Sequence, residues 1–304
     1  MIRFLYDNDV LEHLIDDADY EAARRAVIKS VEEVQSQFYY TQISFLELLK
    51  GIRPSNFERL KRIALESYVL SGGGSVLLNP QDHLAYATQQ MSQTRYVENV
   101  AVMIGDIRSL TKSPDYAAFT ANSEARASYL RNWLEATKRE SQRSTDYLQE
   151  QIESGEESQA DLLLSNRSSN EFFQRYTGQI LDHFHLGPAL ARLSVDEIVE
   201  KFPSLKYFAD VFRVRLLKRL AGKKVQESDY FDLEKVAYLD ICDYIVTDDR
   251  AFRALFKETG IPDLAERAIS LSRLREHLSG KMLKKQPTSR VWDKADKRRV
   301  QITG

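Results

Sequence analysis

Acidic residues recur in this chain at the points where an apolar run gives way to a helical pattern. Asp7-Asn8-Asp9 follows Ile2-Arg3-Phe4-Leu5-Tyr6, and Glu47 comes soon after Phe38-Tyr39-Tyr40-Thr41. Asp229-x-x-Asp232 opens a helical run, and Asp248-Asp249 closes Tyr244-Ile245-Val246-Thr247. Carboxylates are the ligands of hard divalent cations, and Mg²⁺ in particular keeps several waters while using a few carboxylates and substrate phosphates. Asp7, Glu47, Asp229 or Asp232, and Asp248 or Asp249 in one pocket would repel each other, so at least one should keep its proton unusually long without metal. Bound Mg²⁺ or Mn²⁺ relieves that repulsion, polarises a phosphate oxygen and activates a water that attacks phosphorus. No covalent nucleophile is required. Asn8 and Thr247 would orient the carboxylates or the metal's water, with Asp248 beside them.

Each acid also has a plain structural reading. Asp7 or Asp9 could cap the helix that follows the first strand. Ser44-x-x-Glu47 has the form of a capping box. Asp229 and Asp232 could be a cap with its first-turn acid, and Thr247-Asp248-Asp249-Arg250 a polar turn. Separate caps, however, give no reason for acids from four places to arrive at one rim. Ligands of open α/β sheets bind outside the carboxyl ends of the strands.

The elements that must position these acids follow from apolar spacing. Strands are expected at Ile2–Tyr6, Phe38–Thr41, Val76–Leu78, Tyr244–Thr247 and Ala268–Leu271. Val10, Leu11, Leu14, Ile15, Ala18 and Ala22 predict a helix that continues to Val34. Ser44 begins another, closed near Gly51 and Pro54; Asn79-Pro80 is a helix start, and Leu84–Val97 is helical. Strand and helix in alternation imply a parallel sheet with right-handed crossovers. After about residue 105 the rhythm changes. Residues 115–202 hold no convincing strand, only polar helical segments with apolar faces at Tyr129-Leu130, Trp133-Leu134 and Tyr147-Leu148, and turns near 153–158 and 165–170. Leu205, Phe208, Phe212 and Leu216 then form one stripe of an amphipathic helix, with Arg213, Arg215 and Lys218 off it. The expected organisation is an α/β parallel sheet flanked by helices in two parts, 1–104 and 205–280. An all-α insertion spans 105–204 and a basic tail 281–304.

Four strings in this order resemble motifs of the PIN-domain nucleases, a family related to the toxin ribonucleases of bacterial toxin–antitoxin pairs. They are Phe4-Leu5-Tyr6-Asp7-Asn8, Ile43-Ser44-Phe45-Leu46-Glu47-Leu48-Leu49-Lys50-Gly51, Asp232-Leu233-Glu234-Lys235-Val236-Ala237 and Thr247-Asp248-Asp249-Arg250-Ala251-Phe252. The resemblance covers about residues 1–100 and 205–275, and leaves the helical insertion and the tail unaccounted for. It implies a PIN-like fold and a Mg²⁺- or Mn²⁺-dependent phosphodiesterase, an endoribonuclease before a DNA or flap nuclease. Asp7, Glu47, Asp232 and Asp249 would be the candidate catalytic and metal residues. Asp229 lies one turn before Asp232 and Asp248 beside Asp249; the motif spacings favour Asp232 and Asp249, with Asp229 as an additional acid. A toxin or phage-defence role is compatible, although such toxins usually lack so large an insertion. A PIN-like module that binds nucleic acid or a partner protein without cutting is the rival from another class.

Bulk properties set the remaining bounds. The chain has 304 residues, 43% of them hydrophobic, with 12 Gly and 7 Pro, as expected of a packed protein. One cysteine, Cys242, offers neither a disulfide framework nor a thiolate zinc site. With no signal-peptide pattern and no membrane-length apolar run, a cytoplasmic location is expected. The net charge of −2 means that RNA would have to be held by local basic patches. Arg215, Lys218, Lys223 and Lys224 precede the third acidic string directly. The tail from Lys281 to Gly304 has eight Lys/Arg against two Asp and reads either as a solvated terminus or as a nucleic-acid arm. A regulatory protein and a homo-oligomer would both suit the family. His183 and His185 have no acid cluster near them in sequence and read as structural. Gly72-Gly73-Gly74 lacks the Lys-Ser/Thr of a phosphate loop and reads as a connection.

Overall fold

Side chains along a strand alternate between the faces of a sheet, and the first strand, β1 (Ile2–Tyr6), uses both. Leu5 joins one core with Tyr39, Leu77 and Ile245, while Ile2, Phe4 and Tyr6 join the other with Phe38, Tyr40 and Tyr244. All five residues of β1 are buried, as expected of a central strand in a parallel sheet covered on both faces. The computed structural model describes residues 1–33, 35–73, 75–121, 169–220, 229–281 and 283–286, with residues 132, 135, 136 and 139 besides.

The other strands are β2 (Ser36–Thr41), β3 (Val76–Leu77), β4 (Tyr244–Val246) and β5 (Ala268–Ile269). They form one five-stranded sheet in the order β3-β2-β1-β4-β5, every pair parallel. Phe4 pairs with Phe38 on one side and with Tyr244 on the other, although some two hundred positions separate those partners. Their rings stack across the strands, with Phe4–Phe38 centroids 5.0 Å apart and Phe4–Tyr244 centroids 5.9 Å apart. The chain moves outward from β1 through β2 to β3, then returns to β4 on the opposite side of β1. The order therefore reverses between β1 and β4, which is where a crevice forms at the carboxyl end of such sheets.

Helices cover both faces. On one lie α1 (Asn8–Asp16), α2 (Tyr20–Glu32), α4 (Phe57–Leu70) and α6 (Gln93–Lys112), with the helix Leu271–Leu278. On the other lie the helices Ser169–His183, Pro203–Leu220 and Arg250–Glu258. Phe172, Phe173, Tyr176 and Phe184 are buried in the same core as Leu5 and Tyr39, and the helix Ser169–His183 packs against Pro203–Leu220. α6 runs unbroken across residues 104 and 105. The expected apolar faces at Tyr129-Leu130, Trp133-Leu134 and Tyr147-Leu148 and the turn at 153–158 lie outside the described residues, as does most of 165–170.

Several expectations need correction. The helix expected to run from Val10 to Val34 breaks after Asp16, where the Asp17 carboxylate accepts from the Asp19 amide and from Arg275. The helix expected over Leu84–Val97 is two: α5 (Pro80–Ala87) ends in a turn with Gln89 at φ +63°, and Ser92 caps α6 by accepting from the Arg95 amide. The helix Pro203–Leu220 is a core element and not a surface one. Arg213 is buried with Ala209, Val211 and Val214, because neighbouring helices cover more than the stripe read from spacing. Leu271 opens a helix capped by Ser270 and does not end β5. The start of the tail is anchored although its lysines are solvated: Lys281, Lys284 and Lys285 are exposed, but Leu283 and Gln286 are buried, Gln286 N donates to Asp243 Oδ1 at 2.8 Å, and the Tyr244 hydroxyl donates to Lys284 O. Gly72 and Gly73 do form a connection, at φ +68° and +75°, values that favour glycine.

Candidate active site

β1 ends at Tyr6, and Asp7 continues the ladder by donating its amide to Val246 O of β4. The Asp7 side chain caps α1, Oδ1 accepting the Asn8 amide at 2.8 Å. Asp7 thus stands at the reversal point between β1 and β4. β2 leads into α3 (Gln42–Gly51), and the cap there is Thr41, whose Oγ1 accepts the Ser44 amide at 3.1 Å. Glu47 is therefore a mid-helix residue, and the capping-box reading of Ser44-x-x-Glu47 does not hold. The third acidic string forms the helix Asp229–Lys235, which continues as a 3₁₀ turn, Val236–Asp240, beneath the helix Pro203–Leu220.

These three elements meet on one atom. Lys235 Nζ donates to Asp7 Oδ1 at 2.7 Å and to Asp232 Oδ1 at 2.9 Å, and lies 3.5 Å from Glu47 Oε2. The Lys235 side chain is 1% exposed, whereas that of Glu47 keeps 23% and opens the cluster to solvent. Burial would lower the pKa of a lone lysine, but the charges of Asp232, Asp7 and Glu47 outweigh it and hold Lys235 protonated, well above the ordinary lysine range. One ammonium does not balance three carboxylates. Burial, then the charges of Asp7 and Asp232, push Glu47 up to about 7 against the opposing pull of Lys235. Burial with the Asp7 charge raises Asp232 to about 6, and Asp249 adds to it.

Asp249 approaches the same rim but is committed to its helix. Its Oδ1 accepts the amides of Ala251 and Phe252 at 2.6 and 3.0 Å, capping Arg250–Glu258. Asp248 turns elsewhere, accepting from Leu271 N at 3.0 Å and facing His13 Nδ1 at 3.1 Å. Thr247 donates to Asp9 Oδ2 and accepts the Asp249 amide, while Arg253 donates to the Thr247 carbonyl. Asn8 ties α1 to α3, its Nδ2 donating to Ser44 O at 2.6 Å while Tyr40 donates to its Oδ1. Thr247 and Asn8 thus fix the loops that carry the acids. The Asp229 side chain, Lys223 and Lys224 lie outside the described residues. Arg215 is half-buried, and Lys218 pairs with Glu258 at 2.9 Å. His183 stacks on Phe208 and faces Glu234 at 3.6 Å.

Two residues of this site do not stand out in the sequence. Lys235 is hidden as a filler position of the third string, though its place three residues after Asp232 puts both on one helix face. Asp9, which the sequence suggests only as a cap, instead bonds the β4 loop through Thr247 Oγ1 and the Asp248 amide. Burial, then the Asp7 charge, raises Asp9 to about 6.

Compared with family models, curated proteins and solved structures, the chain finds no match. Whether the site suits a divalent cation rests on its own atoms. The donors are hard oxygens from three elements with an excess of negative charge, which is the chemistry such a cation requires. Among the described residues, no group of three or more His, Cys, Asp or Glu is arranged to hold a metal as it stands. The Lys235 ammonium stands between the three carboxylates. The residues suit the ion in type and charge, with the lysine between them.

Proposed function

We propose that this chain is a PIN-like, Mg²⁺- or Mn²⁺-dependent phosphodiesterase that cleaves RNA internally. The observation that carries the reading is the meeting of Asp7, Glu47 and Asp232 at the carboxyl rim, where the strand order reverses. Three buried or half-buried acids converging from separate elements cost the fold stability, because Glu47 and Asp232 are held well above the usual carboxylate range. Titratable groups perturbed by burial and by specific charge partners at a sheet rim mark a candidate functional site.

In this reading Asp7, Glu47 and Asp232 would hold the ion, and Asp249 would join them from the β4 loop. A bound divalent ion polarises the phosphate and activates a water. The chain's own part is positioning. Asn8 locks α1 against α3, Thr247 locks the β4 loop to Asp9, and the solvent-facing Glu47 marks the side from which a strand enters. RNA and phosphodiester cleavage both come into the proposal from the motif resemblance, since the residues themselves support only a carboxylate site for a cation.

Lys235 favours a second reading, a PIN-like module that binds nucleic acid or a partner protein without cutting, its acids paired from within by one lysine. One experiment separates the two. Purified protein is incubated with labelled single-stranded RNA or DNA, in Mn²⁺ or in chelator. Metal-dependent RNA cleavage that disappears in Asp7→Asn supports the nuclease. DNA cleavage alone redirects it to a DNA or flap nuclease, and binding without cleavage supports the second reading.

A further inference from the structure

Lys235 occupies the point that a bridging cation would take. Its Nζ lies 2.7 Å from Asp7, 2.9 Å from Asp232 and 3.5 Å from Glu47, oxygens supplied by three different elements. Mg²⁺ binds oxygen at about 2.0–2.1 Å in near-octahedral geometry, so an ion bridging these carboxylates and the ammonium cannot share that position. A second cation beside the first would also meet direct repulsion in a site with little solvent. The lysine stem is a flexible four-carbon chain with a compact charge at its end, carried one turn after Asp232 on the same helix.

We propose that Lys235 is the built-in occupant of the cation position: with no metal bound its ammonium holds Asp7, Glu47 and Asp232 together, and a divalent ion enters only by displacing Nζ. The proposal rests on the metal-site reading above and adds to it a latch. The three carboxylates stay converged without metal, so the rim is ready, while every bound ion must first break the lysine's hydrogen bonds. Metal affinity is therefore lower than the carboxylate set alone would give.

The test measures Mn²⁺ binding to chelator-stripped full-length protein by calorimetry, for wild type, Lys235→Gln, Lys235→Arg and Asp7→Asn. Lys235→Gln should bind at least about tenfold more tightly than wild type, a difference of about 1.4 kcal/mol. Lys235→Arg, which keeps the charge, should gain nothing, and Asp7→Asn should lose the site. Because Lys235→Gln leaves buried acids without a counter-charge and can unfold the chain, a second measurement uses wild type alone. Acetylation of Lys235 by an amine-reactive reagent, followed by peptide mass spectrometry, should rise when Mn²⁺ replaces chelator, since Nζ leaves its buried position. Equal or weaker Mn²⁺ binding by Lys235→Gln, or acetylation unchanged by Mn²⁺, overturns the latch while leaving a metal site intact. Absence of Mn²⁺ binding in both wild type and Lys235→Gln overturns the metal reading and the latch together.

Discussion

Lys235 Nζ and Asp7 Oδ1 lie 2.7 Å apart although 228 positions separate them in the chain. The hydrogen bond joins the end of β1 to the helix that precedes β4, across the place where strand order reverses. It pairs a buried ammonium with a buried carboxylate, and breaking such a pair from the lysine side leaves unbalanced charge. From the aspartate side the outcome differs, because Asp232 and Glu47 remain to face the lysine.

Asp7→Asn should therefore abolish metal-dependent cleavage while the fold persists. The amide oxygen can still accept from Lys235 and from the Asn8 amide, and one charge that raises Glu47 and Asp232 is gone. Thermal unfolding in chelator should stay within about 1 kcal/mol of wild type or move upward. Full cleavage by this variant would remove Asp7 from the chemistry.

The raised carboxyls predict a pH dependence with a definite sign. Glu47 sits near 7 in the folded protein against 4.5 as its ordinary value, and Asp232 and Asp9 near 6 against 3.8. The folded state thus binds more protons than the unfolded one between those limits, so stability falls as pH rises through them. In chelator, unfolding free energy should drop between about pH 4.5 and 7, by an amount on the order of 1–3 kcal/mol from Glu47 alone. Glu47→Gln has no proton to lose and should flatten that part of the profile, and Mn²⁺ should restore wild-type stability at the upper end. Identical pH profiles for the two proteins would contradict the burial of a strained acid at position 47. The same variant tests chemistry: mid-helix Glu47 caps nothing, so a fall in its activity cannot be put down to a missing cap.

How much of this could be read from the residues follows from the physics of each signal. The five strands are legible because each is a short β-branched or aromatic run that ends at polar residues, and covering on both faces leaves no alternation to confuse. Asp7, Glu47 and Asp232 are legible as acids near strand ends, but their common partner is not. A lysine in a helix is ordinarily a solvated residue, and only the three-dimensional meeting of separate elements shows why Lys235 is buried. Arg213 and Arg267 hide for the same reason. The break between α5 and α6 depends on one left-handed residue, Gln89, and on the cap at Ser92, signals weaker than the apolar spacing that runs through them. The strap at Leu283–Gln286 reads as polar tail until Asp243 and Tyr244 are seen to bind its backbone.

Arg267 offers a test of what holds the third acidic string in place. It is fully buried, and its guanidinium donates to the carbonyls of Leu239, Cys242 and Asp243 at 2.8–2.9 Å, where the 3₁₀ turn gives way to β4. Arg267→Met keeps the stem and leaves those carbonyls without a donor in the core. Unsatisfied buried groups cost about 1–3 kcal/mol each, so the variant should lose about 3 kcal/mol or more in denaturant unfolding. A loss under about 1 kcal/mol would mean that the turn is held by its packing.

The last prediction concerns where RNA would lie if the proposed function holds. The acid rim repels phosphate wherever a bound ion does not dominate, so other charges must hold the strand. The helix Pro203–Leu220 runs towards the third acidic string, and Arg215 and Lys218 near its end are only partly buried. Lys218 is paired with Glu258, whose side chain is 47% exposed, and such a surface pair is weak enough to exchange for phosphate. Lys223 and Lys224 continue the basic stretch in sequence. Neutralising Arg215, Lys218, Lys223 and Lys224 together should weaken RNA binding evenly across sequences and reduce its salt dependence, by about one slope unit for each phosphate that the protein no longer neutralises. Truncation of the basic tail should begin after Gln286, because Leu283–Gln286 packs on β4 and its removal would disturb the sheet. That truncation should cost less affinity than the fourfold variant. If the fourfold variant keeps wild-type affinity and salt slope while the truncated chain loses both, the strand is held by the tail and not by the approach to Asp232.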